Sequence, residues 1–171
     1  MDARIPSESE CLELLSGMDL PSGVMNHSIA VKNAALHFAD IAEKRGIAVN
    51  RELITAAALL HDVLKVDAHA CHGIEGGEFL RKRGFPEVAA VVEKHCLNNL
   101  NDPELVPKTA EEKLLMYSDL KVNGGQLVSL EERFEYIKQH YRPKDKDRFS
   151  EYIAFARQLE CELLGIGEEK K

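Results

Sequence analysis

The helix-opening pattern Ser/Thr-x-x-Glu occurs three times in this 171-residue chain, as Ser7 with Glu10, Thr109 with Glu112 and Ser129 with Glu132. In such a capping box the hydroxyl accepts a hydrogen bond from the amide three residues later, and the glutamate reaches back to the first amide. Apolar residues recur every three or four positions after each box, which is the period of an amphipathic helix. This pattern predicts an all-α fold.

Glycine, proline and asparagine set the bounds of the predicted helices. A short helix after Ser7 should end before Pro21-Ser22-Gly23, and a flexible break is expected at Asn123-Gly124-Gly125. We expect no strand, and the longest loop should be 98–108. The other predicted helices cover roughly 24–45, 51–65, 72–83, 86–96, 110–122, a segment after Ser129, and 149–164.

The charge and hydropathy of the chain exclude several classes of function. Its net charge is −7, which disfavours sequence-independent binding to nucleic acid. A small anionic substrate remains compatible, because a local site can be positive in an acidic protein. No apolar run approaches the ~18 residues of a membrane span. The N-terminus MDARIPSESECLELL does not resemble a secretory signal, so we expect a cytoplasmic protein.

The four cysteines are expected to be reduced, because they form no C-x-x-C pair and a cytoplasmic setting disfavours disulfides. We expect them to be small apolar core residues. They are Cys11, Cys71, Cys96 and Cys161.

Polar side chains of the metal-ligating type fall in phase with apolar stripes on four predicted helices. His27, His61, His95 and Asp119 each share a face with core residues, and Asp62 borders the face of His61. A single inward histidine is ordinary, but an aspartate is seldom fully buried without a partner. A divalent metal would satisfy imidazoles and carboxylates together. The joint pattern therefore favours a metal site over a set of unrelated core histidines.

These residues resemble the H…HD…D signature of the HD superfamily of metal-dependent phosphohydrolases, in its HDIG-type subset. LLHDVLK (59–65) resembles the family's L-L-H-D-I-G-K stretch, with Val63-Leu64 where the family often has Ile-Gly. HGIEGGEFL (72–80) is similar to the H-x-x-x-G-x-x-x-L element, and YSDLKV (117–122) to Y-A-D-K-x-V. VVEKH, ending at His95, resembles the later family histidine. The elements stand in family order over roughly residues 24–140.

The resemblance implies a single-domain HD-type helical bundle with an internal metal site. It predicts an N-terminal capping helix in 1–22, the metal-binding core in 23–142, and a C-terminal helix with a short tail in 143–171. One or two divalent ions (Mn, Fe, Ni, Co, Zn or Mg) would be bound. The first would lie between His27, His61, Asp62 and Asp119, and the second between His72, His95 and a bridging Asp62. His72 could equally cap a helix.

The implied activity is hydrolysis of a phosphate ester of a nucleotide or small phosphorylated metabolite through a metal-activated water. Asp62 and Lys65 are the predicted catalytic residues. The predicted substrate contacts come from Lys65, His69, Lys121 and Arg133.

Three alternatives remain open at this point. The fold could serve as a regulatory module that binds a nucleotide without turnover, or as a di-iron oxygenase. A structural zinc site could also involve Cys71 and Cys96, which flank two of the histidines. Their spacing does not match the usual C-x₂₋₄-C or H-x₃₋₅-H patterns, so this zinc site is the weakest alternative.

Overall fold

A computed structural model describes residues 4–21, 23–65, 72–141 and 145–167. Over these residues the chain forms eight α-helices, a single 3₁₀ turn at Leu97–Asn99 and one short hairpin. The all-α prediction is therefore confirmed. In chain order the elements are α1 (Glu8–Ser16), α2 (Val24–Lys44), α3 (Arg51–Leu60), α4 (His72–Lys82), α5 (Pro86–Val92), α6 (Ala110–Leu120), β1 (Val122–Asn123), β2 (Gln126–Leu127), α7 (Leu130–Tyr141) and α8 (Lys146–Leu164).

Helix α3 lies in the interior, in contact with α1, α2, α5 and α6. Its sequence RELITAAALL is apolar over most of its circumference, and residues 56–60 are all buried. A helix that is hydrophobic on nearly every side is stable only when other helices surround it. The three consecutive alanines of α3 let these helices approach closely. The C-terminal end of α3, where His61 and Asp62 follow, is therefore inside the protein.

All three predicted capping boxes are formed. The hydroxyls of Ser7, Thr109 and Ser129 each accept a hydrogen bond from the amide three residues later, at 3.1 to 3.4 Å. The box at Thr109 is the most buried of the three. Its Glu112 is only 4% exposed, accepts hydrogen bonds from the amides of Lys108 and Thr109, and lies 2.6 Å from Lys94 Nζ. It therefore joins α6 to the segment after α5.

Replacing Glu112 by Gln should lower the free energy of unfolding by about 2 kcal/mol, since one charge-assisted contact is lost and others weaken. Burial opposes ionisation of this carboxyl, but Lys94 and the two amides hold its pKa below the usual value. The carboxylate therefore stabilises the fold above its ordinary pKa, and this stabilisation disappears as the pH falls through the lowered pKa. Urea unfolding at pH 7 and in acid measures both effects. The exposed Glu151→Gln is the control, and equal stabilities at pH 7 would contradict the prediction.

Two predicted helix ends are wrong by several residues. Helix α3 ends at Leu60 rather than near Lys65, because the amides of Val63 and Lys65 bond to carbonyls three residues earlier and tighten the chain. Helix α5 ends at Val92 rather than near Cys96, and the amide of His95 bonds to the Val92 carbonyl in the same way. Turns of this kind commonly close a helix and redirect the side chains that follow. Both redirected segments carry predicted metal ligands.

The expectation of no strand, with a flexible break at Asn123-Gly124-Gly125, is wrong. Val122 pairs with Leu127, and Asn123 with Gln126, in an antiparallel hairpin. Gly124 and Gly125 have φ values of 57° and 80°. A two-residue type I′ hairpin loop requires positive φ at both central positions, and glycine adopts it without strain. The break is thus an ordered turn that joins α6 to α7.

The cysteine prediction holds in part. Cys11 is fully buried in the apolar core, but Cys161 on α8 is only half-buried, so its assignment to the core is wrong. Cys96 is also buried, and its Sγ lies 3.6 Å from His72 Nε2. Cys71 lies outside the described residues. Among the described residues, none of the helices combines the length and apolar character needed to cross a bilayer.

Candidate metal centre

The ends of five helices bring the predicted ligands together. His27 lies in the first turn of α2 and Asp119 in the last turn of α6. His61 directly follows α3, His72 is the first residue of α4, and His95 follows α5. A position at a helix end lets each side chain reach the interior without displacing the apolar stripe of its helix.

Four of the predicted ligands surround one point in the interior, namely His27, His61, Asp62 and Asp119. His27 Nε2 lies 2.9 Å from Asp119 Oδ1 and 3.7 Å from Asp62 Oδ2. His61 Nε2 lies 3.4 Å from Asp62 Oδ2 and 3.6 Å from Asp119 Oδ1. Metal bonds of about 2.0–2.2 Å to N and O put neighbouring ligand atoms roughly 3–3.6 Å apart. The donor set and its spacing therefore fit a divalent cation.

The other oxygen of Asp62 faces a second group of imidazoles. Asp62 Oδ1 lies 3.3 Å from His72 Nε2 and 3.8 Å from His95 Nε2, and the two imidazole nitrogens are 3.1 Å apart. One carboxylate thus has an oxygen toward each set of histidines. This is the arrangement that a carboxylate bridging two cations would need.

Two buried atoms at the centre of the cluster form no hydrogen bond with the described residues. They are His61 Nε2 and Asp62 Oδ1, in side chains that are 0% and 1% exposed. Such groups cost free energy in a protein interior unless something satisfies them. The Nδ1 atom of His61 contacts the carbonyl of Ala58 at 2.8 Å, and that of His95 contacts Val92 at 2.6 Å. Both rings are thereby held with Nε2 toward Asp62, as metal-binding histidines usually are.

The charges of the cluster are strongly coupled. Burial opposes ionisation of Asp62 and Asp119, but the imidazoles of His61 and its neighbours hold the pKa of both carboxyls well below the usual range. Burial likewise opposes the charged form of His61, but the two carboxylates raise its pKa above the ordinary value. A cation that bound here would take the place of these protons, so binding should release them.

Lys65, the predicted catalytic lysine, lies at the same centre. Its Nζ donates to Asp62 Oδ2 at 2.7 Å, and its side chain is 38% exposed. The amine therefore lies between the buried carboxylate and the solvent.

The other predicted substrate contacts bond to residues outside the cluster or lie outside the described residues. Lys121 Nζ is 3.8 Å from Glu160 on α8, and Arg133 donates to Asn123 Oδ1 at 3.2 Å. Neither contact involves the histidine cluster. His69 lies outside the described residues. Of the predicted cationic groups described, Lys65 is the one in contact with the cluster.

Cys96 was considered from the sequence only in the weakest alternative, a structural zinc site with Cys71, and was not among the predicted ligands. Its Sγ lies 3.6 Å from His72 Nε2 and 3.5 Å from His95 Nε2. Burial disfavours the thiolate, but the two histidines outweigh it and lower the pKa to about 6. The signals in the sequence were the adjacency of Cys96 to His95 and of Cys71 to His72. The positions of His72 and of the turn after α5 were needed to show that the thiol faces both rings.

The protein is thus helical, and the ends of its helices enclose imidazoles and carboxylates around the pair His61-Asp62. Such a set of side chains is typical of an internal metal site. The chain belongs to the HD domain family, whose profile matches residues 24–123. The match contains all six predicted ligands. The predicted extension of this core to residue 142 stays a prediction.

Three relatives show how far the similarity extends. A tRNA (cytidine(56)-2'-O)-methyltransferase of Thermoplasma volcanium is 30% identical over 88% of this chain and 45% of its own length. An uncharacterized protein, MJ0778, of Methanocaldococcus jannaschii is 30% identical over 64% of this chain and 72% of its length. A dihydroneopterin 2',3'-cyclic phosphate phosphodiesterase of the same organism is 48% identical over 25% of this chain and 18% of its length.

The chain therefore spans less than half of the methyltransferase and a small part of the phosphodiesterase. No solved structure matches it significantly.

Proposed function

We propose that this protein is a metal-dependent phosphohydrolase that cleaves a phosphate ester of a nucleotide or another small phosphorylated metabolite. The observation that carries the proposal is the position of Asp62, whose two oxygens face separate pairs of histidines. On the distances given above, two divalent ions would be held by His27, His61, Asp62 and Asp119 on one side, and by His72, His95 and Asp62 on the other.

A pair of such ions, when bound, supplies a water acidic enough to attack phosphorus near neutral pH and positive charge for the phosphoryl oxygens. Asp62 would hold both ions at a fixed separation. The carbonyls of Ala58 and Val92 keep His61 and His95 in the orientation that binding requires. These residues therefore act mainly by holding the two ions and the imidazoles in position.

Lys65 is the proposed phosphate-binding residue. Its amine bonds to Asp62 Oδ2 and is partly exposed. If Asp62 held a cation, Lys65 would exchange its bond to Oδ2 for a contact with an anionic substrate at the solvent side of the cluster. Preorganised positive charge at the reacting phosphoryl group is a large source of catalysis. Lys121 and Arg133 would contribute only after leaving Glu160 and Asn123, so we propose secondary roles for them.

The relatives narrow the choice of substrates to test. One is named a phosphodiesterase of a 2',3'-cyclic phosphate, so cyclic phosphates belong in the panel beside phosphomonoesters and dinucleoside polyphosphates. Another is named a tRNA methyltransferase, which makes tRNA the main macromolecule to test. The net charge of −7 favours a small anionic substrate over RNA, because RNA binding depends largely on basic surface.

The test is turnover by purified protein loaded with Mn²⁺, Fe²⁺, Co²⁺, Ni²⁺ or Zn²⁺. We expect phosphate or an opened phosphodiester from at least one small ester, and no binding of tRNA at physiological salt. The double variant His61→Ala, Asp62→Ala is the negative control. Turnover equal in this variant and the wild type would refute the proposal. Oxygen-dependent product from the iron-loaded protein would favour an oxygenase, and tight binding without turnover would favour a regulatory module.

A further inference from the structure

Cys96 occupies the position of a further ligand beside His72 and His95. Its Sγ is 3.6 and 3.5 Å from their Nε2 atoms, which are 3.1 Å apart. In a tetrahedral site with metal–nitrogen bonds of about 2.0–2.1 Å and metal–sulfur bonds of about 2.3 Å, ligand atoms are about 3.3 to 3.6 Å apart. The three separations are therefore close to those of ligands that share one ion.

The backbone around Cys96 permits this close approach. Gly73, in the first turn of α4, lies so near that an added Cβ would be 3.1 Å from Cys96 Sγ and 3.2 Å from His95 Cε1. A larger residue at this position would press on both groups. The bond between His95 Nδ1 and the Val92 carbonyl directs Nε2 toward the sulfur and Asp62. The sulfur and the two imidazoles are thus held together by the ends of α4 and α5.

A separate observation indicates that this group of side chains is built for a ligand. Asp62 Oδ1 is buried, forms no hydrogen bond with the described residues, and lies 3.3 Å from His72 Nε2. Cys96 itself is only 8% exposed. The ligand atoms of Cys96, His72 and His95 all lie within 4.8 Å of one another, so one cation could bind the sulfur and both imidazoles beside this oxygen.

We propose that the Cys96 thiolate is a ligand of the second cation, together with His72, His95 and Asp62. The proposal rests on the two-ion assignment of the proposed function and adds sulfur to it. The thiol loses its proton on binding and forms the metal–sulfur bond, as cysteine ligands do. The two positions then differ in chemistry, because the first has only nitrogen and oxygen donors. Sulfur makes the second position selective for Zn²⁺ or Fe²⁺ over Mg²⁺ and Mn²⁺.

X-ray absorption spectroscopy of the zinc-loaded, full-length protein tests this assignment directly. We expect a zinc–sulfur shell at about 2.3 Å in the wild type. The shell should disappear in Cys96→Ser, while most of the nitrogen and oxygen signal remains. In a competition assay with a zinc chelator, this variant should bind one of its two zinc ions at least ~10-fold more weakly.

Two other cysteine variants serve as controls. Cys161→Ser removes a half-buried thiol of α8 and should retain the sulfur shell. Cys71→Ser should also retain it, and is included because Cys71 precedes His72 in the sequence. Circular dichroism checks folding, and Cys96→Ala provides a second replacement if the serine variant does not fold.

Three results would overturn the proposal: no zinc bound to the wild type, bound zinc without a sulfur shell, or a shell that survives in Cys96→Ser. Turnover is measured on the same samples as a separate readout. A protein with the sulfur shell and no hydrolase activity would refute the proposed function and leave the ligand assignment intact.

Discussion

Replacing Asp62 by Asn should reduce kcat/KM for the phosphate ester by at least ~10³-fold, which is a loss of about 4 kcal/mol of transition-state stabilisation. The replacement has nearly the same shape, but it exchanges one carboxylate oxygen for an NH₂ group that cannot bind a cation. Because each oxygen of Asp62 faces a different set of histidines, one of the two sites must lose the oxygen that Asp62 provides, and the bridge between the sites is lost. Steady-state kinetics with the best substrate of the panel measures the effect.

The matched control for this experiment is Asp147→Asn, which changes an exposed aspartate in the first turn of α8. It makes the same chemical change away from the histidine cluster and should leave kcat/KM within ~2-fold of the wild type. Circular dichroism should show unchanged helicity in both variants. An Asp62→Asn enzyme that retains more than a tenth of the wild-type kcat/KM would contradict the bridging role.

Adding a binding metal to chelator-treated protein should raise the Tm strongly. Without a cation, two buried atoms of the cluster, His61 Nε2 and Asp62 Oδ1, have no hydrogen bond with the described residues, and several charges lie close together. A ligand that binds only the folded state and is present at 100 times its Kd adds about 2.7 kcal/mol per site to the free energy of unfolding. Each kcal/mol shifts the Tm of a protein of this size by about 2–4 °C, so two sites predict a rise of about 10–20 °C. Differential scanning fluorimetry over a series of metals measures the shift.

Two comparisons make the thermal experiment specific. Asp62→Asn should show about half of the wild-type shift or less, because at least one site is damaged. Glu151→Gln, an exposed change on α8, should show the full shift. A wild-type Tm that is the same with and without every metal tested would mean that the cluster is an internal ion-pair network and binds no cation.

Much of this arrangement could be predicted from the sequence because helices have a fixed period. His27, His61, His95 and Asp119 were placed on inward faces by their phase with apolar neighbours. In the structure the three histidines each have Nε2 within 4 Å of an Asp62 oxygen, and Asp119 lies 2.9 Å from His27. Capping boxes also depend on residues only three positions apart, so local sequence was enough to find all three.

The errors arose where contacts over a longer range decide the local structure. From the helical period alone, α3 was predicted to continue to Lys65. In the structure tighter turns end it at Leu60, and His61 and Asp62 are both buried. The sequence Asn123-Gly124-Gly125 is compatible with both a flexible linker and a type I′ loop. The loop forms because Val122 pairs with Leu127. The position of Cys96 depends on how closely α4 approaches the turn after α5, which no local pattern encodes.

Metal analysis of protein purified without chelator tests the central claim most directly. Inductively coupled plasma mass spectrometry should find about two transition-metal ions per chain in the wild type, as a two-ion hydrolase requires. A wild-type protein that carries no metal and takes up none on incubation would show that imidazoles and carboxylates gathered at five helix ends do not form a cation site, and the proposed hydrolase would be wrong.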